Sequence, residues 1–130
     1  MNRALASFRS MLVELRQAGK NVYVILNIPI GQGVDPRSML DRSLLGIEFR
    51  PAPLVLSTLA SKYGSIDDKL RNAVLEAGAS VISPIDHLCA DGACPTTFSG
   101  GEPIYKDRTH LRPSYVRKHA TFIDPIFRAK

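Results

Sequence analysis

Apolar residues recur at helical spacing through residues 3–18. Leu5, Phe8, Leu12 and Leu15 fall on one face, with Ala4, Met11 and Ala18 beside them. Gly19 follows where helices commonly close, so the pattern predicts an amphipathic helix ending there. The period then changes. Residues 21–29, "NVYVILNIP", are apolar on both faces and rich in β-branched side chains. That predicts a strand covered on both sides, as in a parallel sheet, with Pro29 ending it. Further on, Ile66, Leu70, Ala73, Val74 and Ala77 make one helical face, with Ser65 and Asp68 spaced as a capping box and Gly78 as the closing residue. "ASVIS", residues 79–83, predicts a short buried strand stopped by Pro84. Strand, helix, strand is a βαβ unit, in which the helix crosses over between two parallel strands.

The connection over residues 30–64 carries a weaker pattern. Asp35-Pro36 offers an N-cap and a first-turn proline, which predicts a short helix over 36–42. "RPAPL" is extended, and residues 54–63 suit another helix. So long a weakly structured segment is usually a functional loop or a covering excursion. After the Gly-rich "FSGGEP", a last helix is expected from about Pro113. Its buried face would use Val116, His119 or Ala120, and Ile123, with Pro125 limiting its length. The fold class is therefore α/β, with two clear strands flanked by helices. Two strands alone leave open edges. The expectation is a single domain portion over residues 1–130: the second half of a doubly wound parallel sheet, without that sheet's N-terminal strands.

Composition changes this picture little. A chain of 130 residues is one domain at most. Seventeen Lys and Arg against 12 Asp and Glu leave a formal charge of +5. The cations are scattered except in the tail, where Arg112, Arg117, Lys118, Arg128 and Lys130 gather. No RNA-binding, zinc-finger or helix-turn-helix signature accompanies them, so nucleic acid is not an expected partner. The longest apolar run, "VYVILNIPI", is too short to span a bilayer, and the N-terminal residues do not form a signal peptide. Expressed alone, such a chain would be cytoplasmic.

The residues with the most chemistry are Asp107 and His110, in "EPIYKDRTHLRP". A serine hydroxyl is a poor nucleophile at neutral pH. A histidine can accept its proton, and an aspartate can hold the imidazole in the right tautomer and stabilise the imidazolium. A gap of three lets the carboxylate reach the ring. The pair also follows the last strand, where sites in open α/β sheets gather. A spacing this short arises by chance as well, and His110 could equally cap a helix or satisfy a buried polar group. His87 suits a surface or capping role, and His119 a core position on the last helix. "GQG" at 31–33 lacks the Lys-Ser/Thr of a phosphate loop.

Cys89 and Cys94 flank Asp91-Gly92, a tight-turn pair. Across such a turn the two can reach disulfide distance. Two free thiols are the alternative. A zinc site completed by His87 and His110 is a third, although the spacing is not that of a finger or ribbon.

"VYVILNIPIGQGVDPRSML", "LCADGACP" and "GEPIYKDRTHLRPSYVRKHATFID" resemble the C-terminal SGNH hydrolase-like domain of the acyltransferase family three proteins, over residues 10–127. These are membrane O-acyltransferases that modify cell-envelope polysaccharides such as lipopolysaccharide O-antigen. The resemblance implies that Asp107 and His110 are two members of a Ser-His-Asp triad. It implies a membrane acyltransferase domain as partner, a glycan as acceptor, no cofactor or metal, and a location on the periplasmic face of the inner membrane, where a Cys89–Cys94 bond would persist. Members often follow His-Leu with small residues, whereas Arg112 and Tyr115 stand here. The family's nucleophile lies in a Gly-Asp-Ser stretch, and this chain contains none. Ser99 and Ser114 are nearest the pair in sequence but lack the strand-to-turn setting of a nucleophile. Asn27, at a strand's end, could touch the site. The expectation is a chain that supplies the Asp and His and is inactive alone, its serine borne by an N-terminal half outside these residues. A non-catalytic module docking through an open sheet edge is the alternative.

Overall fold

The structure is a computed structural model that describes residues 2–128. At its centre β1 (Tyr23–Ile25) pairs in parallel with β5 (Ser80–Ile82), in the register Tyr23 to Ser80 and Ile25 to Ile82. These are the two strands expected from sequence, joined through a crossover helix. Side chains alternate across the pair as the pleat requires. Val24 and Val81 face one way, onto Leu12, Val74, Ala77 and Ala79 of the N-terminal helix α1 (Asn2–Gln17) and the region of the crossover helix α2 (Leu56–Glu76). Tyr23 and Ile82 face the other way, onto Ala120, Phe122, Ile123 and Ile126 near the C-terminus. Helical segments therefore cover both faces. Gly19 and Gly78 close their helices with φ of 74° and 71°, a region costly for residues with a Cβ.

Two expectations between the strands are corrected. Helices over 54–63 and from Ser65 onward are one continuous helix, α2, and the Ser65–Asp68 capping box is not used. Gly64 sits within it, and a Cβ there would meet only Ala60 at 3.9 Å. A mid-helix glycine costs about 1 kcal/mol. Breaking the helix would strand a further set of backbone donors and acceptors at two new ends. The helix expected over 36–42 stops early. Asp35 does cap it, its Oδ1 accepting from the Arg37 N–H at 3.0 Å. The turn is a 3-10 turn of four residues, Pro36–Met39, and the chain then extends as β2 (Leu40–Ser43), paired antiparallel with β3 (Gly46–Phe49). Leu44 and Leu45 at the tip of this hairpin are fully exposed, and Ile47 is mostly so.

A third short pair joins β4 (Leu54–Val55) to β6 (Ala93–Cys94), antiparallel. Between β5 and β6 lies the single-turn helix α3 (Ile85–Leu88). The last helix, α4 (Pro113–His119), begins at Pro113 as expected, but Pro125 does not end it. Pro125 instead lies in the first turn of a separate helix, α5 (Asp124–Arg128), where a missing N–H is harmless. His119 is not a core histidine either: it is exposed, its ring against Tyr115 at 5.0 Å and Phe98 at 5.3 Å. Ala120 and Phe122 are the buried residues there.

Cys89 and Cys94 form a disulfide, which removes the free-thiol and zinc alternatives. No group of His, Cys, Asp and Glu among the described residues is arranged to hold a metal ion. The geometry follows from the turn. Asp91 and Gly92 both have positive φ, 51° and 77°, as a two-residue hairpin turn requires. Ala90 and Ala93 exchange both backbone hydrogen bonds at 2.9 Å, which sets the two cysteines opposite each other. In the chain-entropy model so small a loop contributes about 2 kcal/mol. Reduction is therefore expected to lower the thermal midpoint by roughly 6–12 °C. Calorimetry with and without dithiothreitol checks this; an unchanged midpoint would show that the bond adds nothing.

Candidate functional site

Beyond the C-terminal end of β1 the chain passes through Leu26 and Ile28 to a second core cluster of Val34, Ile104 and Tyr105. Tyr105 and Leu111 pair as antiparallel neighbours. The Lys106 N–H donates to the His110 carbonyl at 2.9 Å, and the Arg112 N–H to the Ile104 carbonyl at 2.8 Å. These bonds make residues 104–112 a tight hairpin. It is anchored on buried Ile104 and Tyr105, and its tip holds Asp107, Arg108, Thr109 and His110. The Gly31 N–H donates to the Arg108 carbonyl at 2.9 Å, so the "GQG" loop that follows β1 is bonded to this tip. It is a positioning contact, not a phosphate loop.

Asp107 and His110 are paired. His110 Nδ1 lies 2.9 Å from Asp107 Oδ1 and 3.1 Å from Oδ2. Oδ1 also accepts from the backbone N–H of Thr109 at 2.9 Å and of His110 at 3.0 Å. The Thr109 hydroxyl is 3.2 Å from the same oxygen and 3.0 Å from Nδ1. The spacing of three allows this because the loop wraps its own amides around the carboxylate, as aspartates do in turns. The Asp107 carboxyl is pulled down to about 2, first by the Thr109 amide and then by His110. Its folded value thus lies below its unfolded one near 4. The ionised carboxylate favours the folded chain above that unfolded value, and the contribution is lost as pH falls toward 2.

With Nδ1 against the carboxylate, Nε2 faces outward; the His110 side chain is 71% exposed and that of Asp107 31%. Among the described residues nothing hydrogen-bonds Nε2. Ser99, in the 3-10 turn Ser99–Gly101, and Ser114, in α4, make no bond to His110. Asn27 points elsewhere: its amide donates to Asp67 of α2 at 3.0 Å. There it lines a cleft of about 220 Å³ bounded by Leu26, Leu59, Tyr63 and Ser83, which neither Asp107 nor His110 lines. His87 is on the surface, its ring 5.6 Å from that of Phe122.

The sequence did not single out Asp35 and its partners beyond the N-cap. Asp35 is 3% exposed. Its carboxylate accepts from Arg37 Nε and Nη2, each at 3.2 Å, and from Arg108 Nε at 3.4 Å. The Arg37 side-chain bonds above all hold its carboxyl below the usual range. The link to Arg108 spans 73 residues, so no local pattern foretells it. The Tyr105 hydroxyl, nearby in the core, is buried without a hydrogen-bond partner among the described residues.

Helices cover both faces of a parallel pair, and a paired carboxylate and imidazole lie on a hairpin past the strand ends; this is an α/β protein with a polar site where such sheets place them. The chain belongs to the family of SGNH domains fused to AT3 domains, whose family model matches residues 1–125. It is an acyltransferase-related domain. No curated protein and no solved structure matches the chain. No helix among the described residues is long and apolar enough to cross a membrane.

Proposed function

We propose that these residues are the C-terminal portion of an SGNH-type carbohydrate O-acyltransferase or acetylesterase domain, and that they supply the Asp107–His110 arm of a Ser-His-Asp triad. The observation that carries this is the 2.9 Å contact between Asp107 Oδ1 and His110 Nδ1, which leaves Nε2 outermost. In that reading Nε2 removes the proton from a serine hydroxyl as the oxygen attacks an acyl carbonyl, and returns it to the leaving group as the serine ester forms. A sugar hydroxyl then attacks the ester, giving its proton to Nε2, which passes it to the serine oxygen as the acyl group leaves. Asp107 keeps the ring in the tautomer with hydrogen on Nδ1 and stabilises the imidazolium. The serine and the oxyanion donors come from polypeptide outside these 130 residues. The acyl group is delivered by a membrane acyltransferase domain, and the acceptor is a cell-envelope glycan on the periplasmic side.

Without the serine and oxyanion donors the chain is inactive. The test is complementation. A polypeptide carrying Gly-Asp-Ser and its strand, added in cis or trans, should give hydrolysis of an aryl acetate that His110→Ala abolishes. Two results would overturn the proposal: His110-dependent turnover by the chain alone, or no activity after complementation of a demonstrably folded pair.

A second reading has its own support. The β1–β5 pair has no further strand on either side among the described residues, and Ile25 is half exposed. Such an edge accepts a strand from a partner. A purely docking role predicts concentration-dependent association, with no catalytic gain from the Gly-Asp-Ser segment.

A further inference from the structure

Asp35 is a single carboxylate shared by two guanidinium groups, and that imbalance is informative. Arg37 spends Nε and Nη2 on it; Arg108 spends only Nε. Their side chains are 77% and 59% exposed, so the remaining N–H groups face outward. A buried anion that holds Arg37 by Nε and Nη2 and Arg108 by Nε restrains both guanidinium groups before any ligand arrives. Such preorganisation reduces the ordering cost of binding. Two more cations belong to the same hairpin: Lys106, opposite His110, and Arg112, at its end; neither has a carboxylate partner among the described residues. Asp107 is a second carboxylate here, and Arg37 feels its charge; its hydrogen bonds go to His110 and the Thr109 amide, and it pairs with neither arginine.

Arg108 sits two residues from His110 and is bonded through its carbonyl to the loop after β1. Arg37 also feels the charge of Asp107, the partner of the imidazole, so an anion held by these arginines would lie on the side of the protein that carries the pair. We propose that Arg37 and Arg108, oriented by buried Asp35, form an oxyanion-binding site that takes a carboxylate or phosphate carried by the acceptor glycan. The inference rests on the proposed acyl transfer for the identity of the ligand. Binding itself needs no nucleophile.

The experiment uses the chain as it is. Methyl glucuronide, glucose 6-phosphate and methyl glucoside are titrated at low salt, with arginine side-chain N–H resonances as the readout. The charged sugars should shift the Arg108 and Arg37 signals, and the neutral glycoside should not. Arg108→Ala should weaken binding about tenfold or more, in line with loss of a charge-assisted pair. Arg108→Lys should restore part of it. Asp35 keeps Arg37 in the Arg108→Ala variant, and circular dichroism verifies the fold. Arg9→Ala removes the same charge far from the site, where Arg9 pairs with Glu76, and should leave binding intact. Response to glucuronide alone or to phosphate alone names the group recognised. Equal binding of the neutral sugar, or equal weakening by Arg9→Ala and Arg108→Ala, overturns the proposal. Failed complementation with Gly-Asp-Ser would refute the triad and leave this result standing.

Discussion

Asp107→Asn is expected to slow acyl transfer by the complemented domain about 10⁴-fold while leaving it folded. The reason lies in how the carboxylate is held. Oδ1 accepts the N–H groups of Thr109 and His110, so an asparagine keeps its carbonyl oxygen there. Nδ1 then faces a neutral carbonyl oxygen at 2.9 Å and, in place of Oδ2, an amide N–H at 3.1 Å. The N–H competes for the ring nitrogen and favours the tautomer with hydrogen on Nε2, which cannot accept one from serine. No anion remains to stabilise the imidazolium. His110→Ala should cost as much. Initial rates with an aryl acetate, with the Asp107→Asn rate within tenfold of the parent, would show that the carboxylate is not the imidazole's steering group.

Leu12→Ala is expected to destabilise the chain by about 3 kcal/mol, within the range for emptying a leucine site. Leu12 is 2% exposed and packs on Val74, itself fully buried, and on Ala77 and Ala79. The two alanines have no side-chain length with which to fill the space, so a cavity persists. Small domains hold roughly 5–15 kcal/mol in total, so the loss is a large share. Leu15, one turn on and 39% exposed, is the internal control. Leu15→Ala should cost less than about 1 kcal/mol. Urea denaturation at a constant slope separates the two; equal midpoints for both variants would mean α1 is not docked through Leu12.

The same contrast explains how much could be read beforehand. α1, β1 and β5 were legible because each repeats its apolar period against a core: Leu12 at helical spacing, Val24 and Val81 in alternation. The approach of Cys89 to Cys94 was legible because Asp91-Gly92 encodes a turn; the bond itself was one of three alternatives. Asp107 and His110 were legible because the carboxylate, the amides that hold it and the imidazole lie within four residues. The β2–β3 hairpin was not. All of its residues but Phe49 are exposed, so no core imposes an alternation on the sequence. The unbroken α2 was missed because Gly64-Ser65 is a good local stop, overridden by the chain's need to span from β4 back to β5. Asp35 is the cap that its place before Pro36 indicates. Its grip on Arg108 comes from tertiary folding alone.

One consequence of the β1–β5 pairing concerns synthesis. Ile25 and Ile82 are partners separated by 57 positions of chain. At about 5–20 residues per second, a ribosome takes roughly 3–11 s to make that interval. For those seconds "VYVILNIPI" has left translation with no strand to join. During that window a chaperone, or an earlier stretch of the same polypeptide, can reach the nascent segment before its partner exists.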